Sequence, residues 1–329
     1  MAARMPGFAG PITLAKFAGG QSNPTYRVDT AGPSYVLRRQ PFGKLLPSAH
    51  AVDREYRLIA ALHPTGFPVA KPEFGLCTDD AVIGSMFYMM ELVEGRTLWD
   101  GTLPGMTPPE RTAHYHAMVD TLAALHAIDP VAVGLGDYGK SGNYFERQVA
   151  RWTRQYRASE TDALPAMERL IEWLPRTVPA QTRTAIVHGD FRIDNMIFAA
   201  DAPRVLAVLD WELSTLGDPL ADFSYFLMSW VTEPEGRSGV MGMTGAATGI
   251  PTIDQVVERY CAATGRDGVP DLDWYFAYNL FRLAGIVQGI KQRLRDGNAS
   301  SGQAAQTVER LPALIDAAWE FAAKAGATR

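Results

Sequence analysis

Cysteine is almost missing from this chain. Cys77 and Cys261 are the two among 329 residues. They lie far apart and match no metal-ligand spacing, so neither a disulfide framework nor a thiolate zinc site is expected, and both read as free buried thiols. A basic excess is missing too. The net charge is −5 and the pI near 5.7, and no basic domain stands out, which argues against a nucleic-acid partner and favours small-molecule chemistry. No run of 18 apolar residues could span a bilayer, and the opening MAARMPGFAG lacks the apolar stretch of a signal peptide. A cytoplasmic protein with no membrane partner is the expectation. Internal repeats and low-complexity tails are absent. What remains is an ordinary globular composition, 47% hydrophobic and 20% charged, in a chain long enough for two lobes.

The informative stretch runs from 185 to 223: AIVHGDFRIDNMIF, then AVLDWELSTLGDPLADF. Asp190, Asn195 and Asp210 lie on or beside short apolar runs, Ala185 to Val187, Met196 to Phe198 and Val205 to Leu209, which read as strands. Polar groups at strand ends can face a cleft. Transfer of the γ-phosphoryl of ATP needs a carboxylate to take the acceptor hydroxyl's proton and hard oxygen ligands for Mg²⁺. In kinases a catalytic-loop Asp is followed five residues later by a metal-binding Asn, and a second metal-binding Asp comes on the next hairpin. Asp190, Asn195 and Asp210 supply that series, with Asp190 as base and the other two as metal ligands.

These residues carry a resemblance. His188-Gly189-Asp190, Asn195 and Leu209-Asp210-Trp211 resemble the aminoglycoside phosphotransferase and choline kinase family of small-molecule kinases. The fuller wording resembles a branch whose kinase-like domain occurs alone in bacteria or fused to acyl-CoA dehydrogenases in animals. The resemblance covers nearly the whole chain. It implies an α+β, protein-kinase-like, two-lobed fold: a small β-rich N-lobe over 1–93 carrying one helix, and a larger, mostly helical C-lobe over 94–329. It also implies ATP and Mg²⁺ as cofactors.

The N-terminal third fits that pattern. Ile12 to Phe17, Thr25 to Asp29 and Tyr35 to Arg39 read as strands, and Gly19 to Asn23 as the glycine turn between the first two. Such a turn alone reads as a hairpin. Ahead of a catalytic series it reads as a loop whose backbone N–H groups approach phosphates, involving Gly20 and Gln21, with Ser22 and Asn23 as side-chain contributors. On the third strand a cation is wanted to pair with the α- and β-phosphates and with a helix Glu. Arg38 stands where Lys is usual, and its charge and bidentate fork keep the role chemically possible. Arg39 points to the other face if the strand alternates. Ser48 to Leu62 reads as a helix capped by Ser48, and Glu55, 17 residues after Arg38, is the candidate partner. Phe87 to Leu92 resumes a strand. In the resembled fold the segment after it joins the lobes, and main chain near Glu91 to Val93 meets adenine.

From Thr107 the chain reads as largely helical. Thr107-Pro108-Pro109-Glu110 has the form of a capping box. His114, His116 and His126 follow on that helix without an Asp, Glu or Cys cluster to make them a metal site, and His126 reads as a packing or capping residue. Arg147, Arg151 and Arg154 fall at i, i+4 and i+7 on one helical face, with Arg157 nearby. The face is either a solvated surface or, if it borders the acceptor as the corresponding insert does in the resembled family, an attractor of anions. Arg192 reads either as a cation neutralising the transferring phosphoryl or as a salt bridge to Asp194. Asp218 and Asp222 read as structural supports of the catalytic loop, Asp218 as N-cap with Pro219 at the first helical position. Residues 234 to 251, rich in Gly, Met and Thr, read as a mobile loop or lid. Asp273 to Arg295 and Gln303 to Ala323 read as closing helices, the second broken near Pro312.

Three functions stay open. The first is an ATP- and Mg²⁺-dependent kinase for an acceptor hydroxyl on a hydroxyacyl-CoA or another anionic metabolite. The second is an aminoglycoside- or choline-type kinase, and the third a non-catalytic nucleotide-binding module. Gly189 in place of the Arg of protein kinases, and Trp211-Glu212 after Asp210, point to a small-molecule acceptor with no switching loop. Monomer and homodimer are both compatible, and so are ATP and GTP.

Overall fold

Alternation along the N-terminal strands decides the first layer. In the computed structural model, which describes residues 5, 8, 10–17, 23–43, 50–235, 237–297 and 302–328, five antiparallel strands form one sheet in the order β1-β2-β3-β5-β4. They are β1 (Thr13–Lys16), β2 (Thr25–Asp29), β3 (Tyr35–Arg39), β4 (Pro72–Cys77) and β5 (Phe87–Glu91). Successive side chains face opposite sides of a sheet. Tyr35, Leu37, Phe87 and Met89 therefore enter a small cluster with Val28 and Phe74 on one face. Val36, Tyr88 and Met90 turn to the other face, where α1 (Val52–Leu62) packs through Leu58, Ile59 and Leu62. Arg38, two residues after Val36, points to the α1 face. Arg39 points away, its guanidinium 3.8 Å from the Phe42 ring centre.

The helix begins at Val52 after Ala51, not at Ser48, which lies outside the described residues. Its first turn holds Asp53 and Glu55, acids that suit the positive end of a helix dipole. A short α2 (Asp80–Ile83) lies between β4 and β5.

After β5 the chain is helical apart from two small sheets. One pairs β6 (Arg96–Thr97), β8 (Met196–Phe198) and β9 (Val205–Val208); the other pairs β7 (Ala185–Val187) with β10 (Thr215–Gly217). The helices are α3 (Pro108–Ala127), α4 (Tyr144–Ser159), α5 (Pro165–Trp173), α6 (Leu220–Leu227), α7 (Ile253–Thr264), α8 (Leu272–Arg295), α9 (Gly302–Glu309) and α10 (Leu311–Lys324). α3 starts as its sequence suggests. The Thr107 N–H and Oγ1 both donate to Glu110 Oε2 at 2.7 Å, with prolines in the first turn. The closing segment divides between α9 and α10 beside Pro312, as the proline requires. α6 opens at Leu220, one residue later than expected, yet Asp218 still accepts from the Leu220 N–H at 2.9 Å. Among the described residues no helix is long and apolar enough to cross a membrane.

The 234–251 segment is not a free lid. Val240 and Ile250 are buried, and Val240 N donates to Ser229 O at 2.7 Å. Trp230 Nε1 donates to Pro251 O at 2.7 Å. Two of its glycines let the backbone approach its neighbours: a Cβ on Gly239 would strike Glu233 O, and one on Gly249 would strike Pro108 O.

Candidate active site

Strand pairing assembles the centre. β8 and β9 pair in antiparallel register with Met196 opposite Val208, and Leu209 N donates to Asn195 O at 2.8 Å. Asn195 and Asp210, fifteen positions apart, thus flank one hairpin end. β7 delivers the chain into His188-Gly189-Asp190. His188 Nδ1 accepts from the Asp190 N–H at 3.1 Å and its Nε2 faces Leu209 O at 2.8 Å. A backbone N–H only donates and a carbonyl only accepts, so the ring carries its proton on Nε2. This ring ties the Asp190 loop to the Asp210 hairpin.

Gly189 makes the turn possible. Its φ is +88°, and an added Cβ would lie 2.8 Å from the Leu213 carbonyl oxygen. Left-handed backbone costs other residues about 1–2 kcal/mol, and a backbone clash adds about 1–3 kcal/mol more. Gly189→Ala should therefore lower the midpoint of thermal unfolding by several degrees and displace Asp190, with most turnover lost. A variant with wild-type melting and turnover would contradict this account of the loop.

Asp222, fully buried on α6, holds the same loop from below. Its Oδ2 accepts from His188 N at 2.5 Å and its Oδ1 from Gly189 N at 2.7 Å, with His126 Nε2 at 3.5 Å. Burial opposes the Asp222 charge, but His126, His188 and the loop N–H groups outweigh it and hold the carboxyl below its ordinary range. Both its structural role and the packing role of His126 agree with the sequence reading.

The Asp190 carboxylate is 21% exposed. It accepts from Tyr225 at Oδ1 (2.9 Å), and at Oδ2 from Asn195 Nδ2 (2.9 Å) and Arg192 Nε (3.3 Å). Asn195 also donates to the Asp190 carbonyl at 2.9 Å. With its amide nitrogen spent, its Oδ1 is left as a hard donor. Arg192 lies between Asp190 and Asp194, its Nη2 3.1 Å from Asp194 Oδ2. Burial works against the Arg192 charge, yet the two carboxylates raise its pKa above the ordinary value. The salt bridge read as one alternative is therefore present, shared with Asp190.

From β3, Arg38 donates to both Glu55 oxygens, through Nε and, at 3.2 Å, through Nη2. Nη1 reaches Thr25 at 3.1 Å and Nη2 reaches Asp210 Oδ1 at 3.2 Å. Glu55 is 2% exposed and also accepts from Asn23 Nδ2 at 2.6 Å. The sequence reading of Asn23 as a phosphate contact is revised. Asn23 is fully buried, its amide shared between Glu55 and His50, where Nδ1 lies 3.2 Å from Asn23 Oδ1. A buried carboxylate needs donors on every lone pair, and Asn23 supplies one. Gly20, Gln21 and Ser22 lie outside the described residues. Asp210 has left-handed backbone, φ +63°, and a side chain 41% exposed.

Asn195 Oδ1 and the Asp210 carboxylate form a donor set that fits Mg²⁺, which takes one or two protein oxygens and fills its octahedron with water and phosphate oxygens. At the strand end, the Glu91 N–H is spent on Lys71 O at 2.9 Å and its Oε1 accepts from Lys71 N at 2.8 Å. The Glu91 N–H is therefore not available to a ligand.

The arginine face of α4 is partly committed. Arg147 donates to Lys140 O at 2.7 Å and to Gly142 O. Arg157 binds Glu168 through two bonds of 2.5 Å. Arg151 stays exposed, 5.4 Å from the Trp152 ring centre. The cation nearer the centre is Arg282 of α8, which the sequence reading passed over. Its Nη2 donates to Gly189 O at 2.8 Å, and it lies over Tyr225 at 4.9 Å and Trp152 at 5.8 Å. A lone arginine inside the apolar run FAYNLFRLAGIV was the available signal. For Tyr225 the signal was its i+3 spacing from Asp222.

Comparison with known proteins agrees with this geometry. The profile of a family described as the phosphotransferase enzyme family matches residues 13–275. The chain is 45% identical over 319 residues to acyl-CoA dehydrogenase family member 10 of Mus musculus, spanning 96% of this chain and 30% of that protein. It thus spans well under half the length of that curated relative. A crystal structure from Ralstonia eutropha, whose assignment to the aminoglycoside phosphotransferases is provisional, shares 49% identity and a TM-score of 0.90, covering 98% of this chain and 95% of the other. The aminoglycoside phosphotransferase APH(4)-Ia, solved as a thermostable mutant with ADP and hygromycin B, has the same fold at 18% identity and a TM-score of 0.60, over 97% and 96% of the two chains.

Proposed function

Since this chain belongs to the phosphotransferase enzyme family, we propose that it moves the γ-phosphoryl group of ATP, with Mg²⁺, to the hydroxyl of an anionic small molecule. One observation carries the reading: hydrogen bonds tie Asp190 to Asn195, the Asp190 loop to the Asp210 hairpin through His188, and Asp210 to Arg38. In this reading residues 1–93 and 94–329 are its two lobes.

Asp190 orients the acceptor hydroxyl and takes its proton while the acceptor oxygen bonds to the γ-phosphorus and the bond from that phosphorus to ADP breaks. Arg38, fixed by Glu55, meets the α- and β-phosphates. Gly20, Gln21 and Ser22 are assigned to the phosphates, and main chain at Leu92 and Val93 to adenine. Asn195 Oδ1 and the Asp210 carboxylate would hold Mg²⁺, and the chemistry it would supply is neutralisation of phosphate charge. Arg192 keeps its Nε on Asp190 and turns Nη2 from Asp194 toward the transferring phosphoryl. Replacing it with Ala should lower kcat about 100-fold, and unchanged kcat under saturating substrates would sink that role.

Arg282 and Arg151 both lie against Trp152, and this pair of cations suits an anionic acceptor and disfavours a polycationic aminoglycoside. Because the mouse relative is named an acyl-CoA dehydrogenase family member, hydroxyacyl-CoA thioesters are the favoured class. The test is a competition in one reaction mixture among 3-hydroxyacyl-CoA, kanamycin and choline, with Mg·ATP limiting. The thioester should take the phosphoryl group, and preference for kanamycin or choline would overturn the assignment of acceptor charge.

A further inference from the structure

The two oxygens of Asp190 are unequally supplied with donors. Oδ2 faces Asn195 Nδ2 at 2.9 Å and Arg192 Nε at 3.3 Å, which together take both lone-pair directions of a carboxylate oxygen. Oδ1 accepts from Tyr225 at 2.9 Å, its one donor among the described residues. The lone pair left for a reacting hydroxyl therefore lies on Oδ1, next to the Tyr225 oxygen.

Tyr225 is itself held in place. α6 presents Asp222 and Tyr225 at i and i+3, so the helix that suspends the loop backbone also reaches the loop's carboxylate. The Arg282 guanidinium covers the Tyr225 ring and donates to Gly189 O at 2.8 Å, fixing ring and loop to one group. Burial and the neighbouring Asp190 charge push the Tyr225 phenol above its ordinary pKa, so the hydroxyl keeps its proton at neutral pH and serves as a donor.

We propose that Tyr225, clamped by Arg282, is the positioning residue that aims Asp190 Oδ1 at the acceptor, and that the acceptor enters on the Tyr225 side of the base. The proposal rests on the reading of Asp190 as the base. It assigns the Oδ2 side, with Asn195 and Arg192, to the metal and the phosphoryl group, and the Oδ1 side to the acceptor. The hydroxyl's proton passes to Oδ1, and Tyr225 gains and loses none.

Tyr225→Phe removes the hydroxyl and keeps the ring under Arg282. The probe is hydrolysis of [γ-³²P]ATP with Mg²⁺, water taking the acceptor's place, measured where circular dichroism shows each protein fully folded. Loss of one hydrogen bond to a charged group should lower the rate about 10- to 100-fold, with KM for ATP within about twofold of wild type. Asp190→Asn should fall to background. A Tyr225→Phe rate within about twofold of wild type, beside a dead Asp190→Asn, would overturn the positioning role. A wild-type rate no faster than that of Asp190→Asn would instead remove Asp190 as base, the premise itself.

Discussion

Asp190→Asn should lower kcat by about 10²- to 10⁴-fold, the span that a positioned general base contributes. The substitution keeps the shape of the side chain but puts an amide where the carboxylate accepts from Tyr225, Asn195 and Arg192. The amide can keep its oxygen toward Asn195 and Arg192 and turn its NH2 to the Tyr225 oxygen, which accepts as well as donates. The loss therefore comes from the missing base. Nucleotide affinity should change little, because Asp190 supplies neither the phosphate cation nor the metal donors in this account. Steady-state kcat and the calorimetric affinity for Mg·ATP, measured on the same preparation, separate the two. Retention of more than about a tenth of wild-type kcat would remove Asp190 from the centre of the mechanism.

Asp222→Ala should be the most damaging substitution for stability in the catalytic segment. It would leave the buried N–H groups of His188 and Gly189 without their acceptor, at about 1–3 kcal/mol for each unsatisfied donor. Turnover should fall as well, since the same two N–H groups fix the residue before Asp190. The pH dependence carries a sign. The folded Asp222 carboxyl lies below its ordinary range, so its ionised form stabilises the fold above the unfolded pKa, near 3.9. That stabilisation is lost as pH falls through the folded value. The stability difference between wild type and Asp222→Ala should be full at pH 7 and narrow below about pH 4. Denaturant unfolding at both pH values checks this, and a difference that grows in acid would contradict it.

Much of the fold was legible because its signals are local. Alternation in Tyr35 to Arg39 put Arg38 and Arg39 on opposite faces, and the structure places them so. The capping box at Thr107 and the proline at 312 mark helix ends by backbone chemistry that needs no tertiary context. Asp190, Asn195 and Asp210 were legible through the kinase spacing they share, and the β8–β9 pairing brings Asn195 and Asp210 to one hairpin end.

What failed depended on neighbours remote in sequence. Asn23 reads as a turn residue, but the buried Glu55 carboxylate 32 positions away needs a donor and takes it. The arginine face of α4 reads as one charged stripe, yet Arg157 is claimed by Glu168 and Arg147 by carbonyls before the helix. The glycines of 234–251 read as freedom, whereas Gly239 and Gly249 permit close backbone contact. Tyr225 and Arg282 lie 35 and 92 residues from Asp190, and the local signals they carry, an i+3 spacing and a lone arginine in an apolar run, do not say which loop they will meet.

The most direct test of the account is ³¹P NMR of ATP with Mg²⁺, a 3-hydroxyacyl-CoA and the wild-type protein. The account predicts loss of the γ-phosphate resonance with matching growth of ADP and one phosphomonoester signal, and none of this with EDTA or with Asp190→Asn. A protein that binds Mg·ATP yet forms no phosphomonoester on thioesters, aminoglycosides, choline or sugars would contradict it.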